Sequence, residues 1–293
     1  MKQKNGKHEV QLFGRRSLME TRYQCEKVIV ITHSMGGLVA RALVHPEIGR
    51  LDKEVLGVVH GAMPAIGAPA AYKRMRCGFK EEFGKVAIPP KVLGNYGYEV
   101  TAVMANSAGG LELLPSKAYG NSWLKIRRGL SLLKSLPEHG DPYKEIYQLQ
   151  GKWYGLLKPE WINPANRSDR SFAISCGLLE EAKNFHELIS STYHSCSYAH
   201  YSAERDRPSW ETVGWVLNGV SSSFDWDTLS IAWDDAQGRA ELRKHGGKPI
   251  DTCRVGMGPS TGPGDQTVLL KSSEHQLQSG KFKGIFRQSG YEL

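Results

Sequence analysis

The stretch KVIVITHSMGGLVARALVHPEI (residues 27–48) packs three structural signals into one short segment. A β-branched run, KVIVI, comes first. A Gly-containing turn follows, and then Leu38, Val39, Ala42 and Leu43 recur at helical spacing until Pro46 ends the pattern. The apolar run predicts a strand buried on both faces of a parallel sheet. A second apolar run at Val55–His60 predicts the parallel partner, so the two strands and the helix between them form one βαβ unit. That unit commits the chain to an α/β architecture.

Beyond it the composition shifts. Residues 63–169 are rich in proline and aromatic residues, with a helical piece predicted at Trp123–Leu136, and they are expected to form a cap over the edge where the strands end. Ser171–Cys176 (SFAISC) is the predicted third core strand. A second insertion spans about 178–258 and is rich in Trp, Tyr and His, with a possible hairpin at Ser221–Trp233. A Gly/Pro loop then leads to an apolar run, and Lys281–Arg287 is the candidate final strand. All 293 residues are thus expected to form one domain, with a core at 27–62, 170–177 and 262–290 and two insertions.

The chemistry concentrates at Thr32-His33-Ser34-Met35-Gly36-Gly37. A nucleophile elbow needs small residues two before and two after its Ser, because the backbone turns too sharply there for bulky ones. Gly36 meets the second requirement, and Thr32 stands where a Gly is usual. The following helix start offers unpaired N–H groups and a positive dipole, so the Met35 N–H could face an oxyanion that develops beside Ser34. The alternative is that Ser34 only caps the helix. His33, adjacent to the Ser, diverges from it in direction and is expected to pack within the elbow. For an acid, Asp265 in GPGDQTV sits in a tight loop before an apolar run. It either orients a base or caps its own turn. His275 is the one histidine after it, and His186, His194, His200 and His245 precede it.

Taken together, THSMGGLVARAL, GAMPAIGAP, LELLPSKAYG and GDQTV, in that order, resemble the α/β-hydrolase lipases. The nearest groups are bacterial hydrolases similar to the GPI inositol-deacylase family, including lipase effectors of the type VI secretion system. The resemblance implies an α/β-hydrolase-like, mainly parallel sheet with large cap insertions. It makes Ser34 the nucleophile and Asp265 the triad acid, and it places Leu113, Leu114, Pro115 and Tyr119 in the cap. It also implies strands before the elbow strand and a catalytic His after the last one. Only 26 residues precede Lys27, and the sequence given ends at Leu293. The expectation is therefore a longer hydrolase lacking both ends, its N-terminal strands included, with the base either His275 or a histidine beyond Leu293.

The function expected is lipase- or phospholipase-type hydrolysis of a lipid or other bulky acyl ester. The alternative is a catalytically incomplete remnant that serves as a binding module. A net charge of +8, with basic clusters at Lys73–Lys80 (KRMRCGFK) and Lys125–Arg128 (KIRR), suits either a solvated face or contact with an anionic membrane surface. Regular basic/aromatic interleaving is absent, so nucleic acid is not expected as a partner. The five cysteines show no metal-ligand spacing; they are expected to be reduced structural thiols, with no metal and no cofactor. The first 25 residues hold no apolar signal-peptide core, so the chain is expected to be cytoplasmic or exported by a signal-independent route.

Overall fold

The computed structural model describes residues 2–4, 7–9, 26–82, 88–218, 225–244 and 252–288. Its strands are β1 (Lys2–Lys4), β2 (Lys7–Glu9), β3 (Val28–His33), β4 (Val55–Gly61), β5 (Leu124–Arg128), β6 (Ser131–Leu136), β7 (Ser197–Ser202), β8 (Glu204–Ser209), β9 (Val213–Asn218), β10 (Ser230–Asp234), β11 (Arg239–Arg243), β12 (Thr252–Met257), β13 (Gly262–Gly264) and β14 (Phe282–Gln288). Its α-helices are α1 (Gly36–Val44), α2 (Pro69–Cys77), α3 (Ile88–Leu93), α4 (Gly97–Met104), α5 (Ala108–Leu111), α6 (Pro159–Ile162), α7 (Phe172–Ile189) and α8 (Leu270–His275).

Two sheets organise the molecule. The first has the order β14-β7-β4-β3, with every pairing parallel. It is the α/β-hydrolase-like core, and the expected final strand is its edge strand β14. The second has the order β10-β11-β12-β9-β5-β6 and is antiparallel except where β5 runs parallel to β9. Strands β5 and β6 come from the first inserted stretch and β9 to β12 from the second, so the two stretches build one sheet together.

Several local expectations change. Ser171–Cys176 is not a strand but the N-cap and first turn and a half of α7. The Ser171 side chain accepts the Ile174 N–H at 3.2 Å, and Ser175, Leu179, Ala182, His186 and Ile189 form a buried helical stripe. Six residues are too few to separate that period from strand alternation. The third core strand is β7. Trp123–Leu136 is a hairpin: Leu124 and Ile126 alternate inward on β5, and Gly129, at φ +55°, makes the turn. Residues 221–224 of the expected Ser221–Trp233 hairpin lie outside the described residues; β10 begins at Ser230.

Strand β3 is not buried on both faces. Val30 packs into the cluster formed by Ala40, Val44, Val55 and Val58, under α1, whereas Ile31 is 78% exposed on the opposite face. The KRMRCGFK cluster is not a solvated face either. Lys73, Arg76 and Cys77 are buried on α2, and Glu82 bonds both Lys73 Nζ (2.9 Å) and Arg74 Nη2 (2.9 Å). The described cysteines Cys77, Cys176, Cys196 and Cys253 are free thiols, and burial pushes Cys77 up to about 12. No helix among the described residues is long and apolar enough to cross a membrane.

His60, on β4, is 1% exposed, and among the described residues neither ring nitrogen has a hydrogen-bond partner. Its ring packs against Tyr193 and Phe282 instead. Burial, and secondarily the Arg41 charge, pulls its pKa down to about 4. A histidine that is neutral when folded and titrates near 6.5 when unfolded stabilises the fold fully above pH 6.5. That contribution is lost as pH falls towards 4, and it amounts to about 3 kcal/mol for a shift of this size. We expect His60→Phe, which keeps the ring and removes the titration, to lower the pH midpoint of acid unfolding followed by circular dichroism. An unchanged midpoint would show that His60 is not the acid-sensitive group.

Candidate active site

The turn between β3 and α1 is built as an elbow requires. Ser34 adopts φ +52°, a left-handed conformation rare for a residue with a Cβ and costing on the order of 1–3 kcal/mol. Two backbone bonds hold it there: Ser34 N–H donates to Gly61 O at 2.8 Å, and Gly37 N–H donates to Ser34 O at 3.0 Å. Below the turn, the Thr32 hydroxyl donates to Val59 O at 3.1 Å, so Thr at this position is tied to the neighbouring strand. Ser34 is half-buried, and Met35, at φ −51° and ψ −29°, already has helical geometry. Its carbonyl accepts from Leu38 N–H (2.9 Å) and Val39 N–H (3.3 Å), which leaves its N–H at the positive end of α1 beside Ser34. His33 is exposed rather than packed within the elbow, level in register with Gly61 and His200.

The two glycines after Met35 differ. A Cβ on Gly36 would rest 3.5 Å from Thr32 Cβ, an ordinary contact, whereas one on Gly37 would lie 2.5 Å from Met63 Cγ and Sδ. Met63 is fully buried with Leu38 and Ile189 and has little room to yield. We expect Gly36→Ala to be neutral or slightly stabilising, and Gly37→Ala to cost about 1–3 kcal/mol through overpacking. Urea denaturation of the two variants measures this; equal stabilities would contradict the assigned packing.

Arg41, one turn further into α1, was not singled out by its sequence context. It is buried, donating to Ala65 O (3.1 Å), Thr192 O (3.1 Å), Ile189 O (2.5 Å) and Ser190 O (3.1 Å), with its guanidinium 4.4 Å from the Tyr193 ring centroid. It thus locks the elbow helix to the carbonyl end of α7, where a cation is favoured.

Asp265 stands at the same edge of the core sheet as Ser34. The Ser202 hydroxyl, on the last residue of β7, donates to Gly264 O at 2.9 Å, and β7 lies two strands from β3, roughly 10 Å at normal strand spacing. Asp265 Oδ1 accepts the N–H groups of Thr267 (2.9 Å) and Val268 (2.6 Å), which orients the carboxylate within its own turn. Gly264 is required, because a Cβ there would fall 2.4 Å from Val268 O. Asp265 borders a cleft of about 730 Å³ that it shares with Lys73, Arg74, Glu82 and Trp210.

His275 ends α8, a helix anchored near the β4 edge by the Ser272 hydroxyl, which donates to Gly67 O at 2.7 Å. Its half-buried ring lines a different hollow with Tyr119, Glu211, Lys271 and Glu274. Burial lowers its pKa, with Arg41 and Lys271 adding to the effect, which favours the neutral ring. Among the described residues no hydrogen bond joins His275, Asp265 and Ser34, and Ser34 lines neither cavity. No group of three or more His, Cys, Asp or Glu among the described residues could hold a metal ion.

Comparison with known proteins bears on the fold. Residues 12–89, which include the elbow, match the model of the PGAP1-like alpha/beta domain. A comparison with curated protein sequences finds no match. Among solved structures, a chain of "The crystal structure of Tle4-Tli4 complex" is 33% identical, with a TM-score of 0.73 over 93% of this chain. The present chain spans 56% of that chain's length. The protein therefore has an α/β-hydrolase fold and resembles the PGAP1-like hydrolases in the segment that carries Ser34.

Proposed function

We propose that this chain is a serine ester hydrolase of the lipase type, and the observation that carries the reading is Ser34. A serine held at positive φ between the end of a parallel strand and the start of a helix bears backbone strain that a simple N-cap does not need. In the reaction, Ser34 Oγ attacks the ester carbonyl while a histidine takes its proton, and the Met35 N–H donates to the oxyanion. The histidinium then returns the proton to the leaving alkoxide, and water, activated by the same base, releases the acid. Asp265 is assigned the role of orienting the histidine. His275 is assigned as the base from chain order and from its neutral ring. The apolar and aromatic inserted segments suit an acyl chain.

A second reading, a hydrolase scaffold that acts only by binding, is favoured by one observation: Ser34, Asp265 and His275 are not hydrogen-bonded to one another. On this point the matched chain is informative, because it was solved in a complex, and we propose a protein partner for this chain as well. Reaction with a fluorophosphonate probe separates the two readings. The hydrolase reading expects one label, on Ser34, absent from Ser34→Ala and weakened in His275→Gln. An unlabelled native protein supports the binding module, and a label that survives His275→Gln moves the base elsewhere.

A further inference from the structure

We propose that the outward face of the six-stranded sheet, together with the β5–β6 hairpin tip, docks on an anionic lipid surface. Strand register defines this face. One row across the sheet runs Trp233, Glu241, Arg254 and Asn218, from β10 to β9. The next runs Arg239, Gly256, Val216, Arg127 and Leu132, from β11 to β6. The alternate residues Leu242, Cys253, Val255, Leu217 and Ile126 are buried in the main core, so these two rows look outward.

The face combines two properties. Its charge is one-sided: Lys125, Arg127, Arg239, Arg243 and Arg254 are opposed by Glu241, which lies 3.5 Å from Arg254, and Arg239 reaches Glu81 of a neighbouring loop at 3.8 Å. Among the described residues no acid pairs with Lys125, Arg127 or Arg243. Its apolar groups stand at the margins. Leu130, at the hairpin tip, is 98% exposed; Leu132 on the edge strand β6 is 52% exposed, and Trp233 on the opposite edge strand β10 is 53% exposed. The tip is well defined, since Gly129 N–H donates to Leu217 O at 3.4 Å and Arg127 Nη1 donates to Leu130 O at 3.4 Å.

An aliphatic tip among arginines, with a tryptophan on the far rim, matches the layering of a bilayer surface. The leucine enters the acyl boundary, the indole sits at headgroup level and the guanidinium groups meet phosphates. Nucleic acid fits less well, because stacking platforms need several aromatic faces and, among the described residues, these rows offer one, Trp233. The surface lies on a different sheet from β3, where Ile31 is exposed.

The test is co-sedimentation of the full chain with vesicles of phosphatidylcholine alone and of phosphatidylcholine with roughly one third phosphatidylglycerol, at low and at physiological salt. It reads binding without catalysis, so its outcome is separate from that of the hydrolase reading. Binding is expected only to the anionic vesicles and is expected to weaken with salt. Leu130→Asp should reduce it about tenfold or more, and Arg127→Glu with Arg254→Glu by more still. Ile31→Asp, on the other sheet, should leave it unchanged. All the substitutions fall on outward-facing residues, and matched melting curves check the fold. No binding to anionic vesicles at low salt, binding that ignores Leu130→Asp, loss with Ile31→Asp alone, or preferential binding of a single-stranded oligonucleotide would each overturn the proposal.

Discussion

Ser34→Ala should lower kcat/KM for a short acyl ester by a factor of about 10⁴–10⁶ while leaving the far-ultraviolet circular dichroism unchanged. The size follows from what a nucleophile contributes: without Oγ no acyl-enzyme forms, and only the oxyanion donor and substrate binding remain. The unchanged fold follows from the local structure, because the Ser34 bonds that shape the elbow are backbone bonds to Gly61 and Gly37. Alanine at φ +52° is no more strained than serine, so stability should move little. Ser34→Gly is a useful companion, since it relieves the positive-φ cost and should be somewhat more stable yet equally inactive. If Ser34→Ala keeps more than about a tenth of the native activity, the nucleophile is another residue and the triad assignment fails.

The elbow was legible in the sequence because its determinants are local. The β-branched run of β3, the pair Gly36-Gly37 and the helical spacing of Leu38, Val39 and Ala42 lie within a few residues of Ser34. The turn that carries Asp265 was legible for the same reason: Gly264 and Asp265 close it through Thr267 and Val268. Contacts that span the chain leave no such trace. The pairing of Leu124 with Val213, which joins the two inserted stretches into one sheet, crosses 89 residues and has no local signature. Around Lys73–Lys80, composition allowed a solvated basic face because burial is not written in composition: Glu82, two residues beyond the cluster, folds back onto Lys73, and Asp234 reaches Arg76 from far along the chain. Arg41 was silent for the converse reason: its partners are backbone carbonyls of residues 65 and 189–192, which no side-chain motif announces. His275 differs from both the elbow and the Asp265 turn: chain order alone singled it out, and among the described residues no hydrogen bond ties it to Asp265.

The largest stability effect is expected at Asp234. Its carboxylate contacts Lys158 Nζ and lies 3.6 Å from Arg76 Nη2, and all three side chains are buried. Arg76 also donates to Gly155 O (2.6 Å) and Trp153 O (3.1 Å), while Lys158 Nζ lies 4.0 Å from the Trp161 ring centroid. Two cations therefore share one anion inside an aromatic shell. Asp234→Ala removes that anion and should cost about 3–5 kcal/mol at pH 7, because both positive groups stay desolvated without it. Lys158→Met instead leaves the Arg76–Asp234 pair intact and should cost far less, since replacing a buried charge by a chain of similar volume is often neutral. The pH dependence has a definite sign. Burial, followed by the Arg76 charge, lowers the Lys158 pKa from 10.5 to about 8 against the opposing pull of Asp234. The unfolded chain then binds the proton more tightly than the folded one, so between about pH 8 and 10.5 this group's contribution to stability rises with pH. Without Asp234 that pull is lost and the window extends downward, so the penalty of Asp234→Ala should shrink between pH 7 and pH 9.5. Urea unfolding of the native protein and both variants at the two pH values reads the effect directly. A cost below about 1 kcal/mol for Asp234→Ala at pH 7, or a penalty that grows with pH, would mean that the two cations do not depend on Asp234 for their charge compensation.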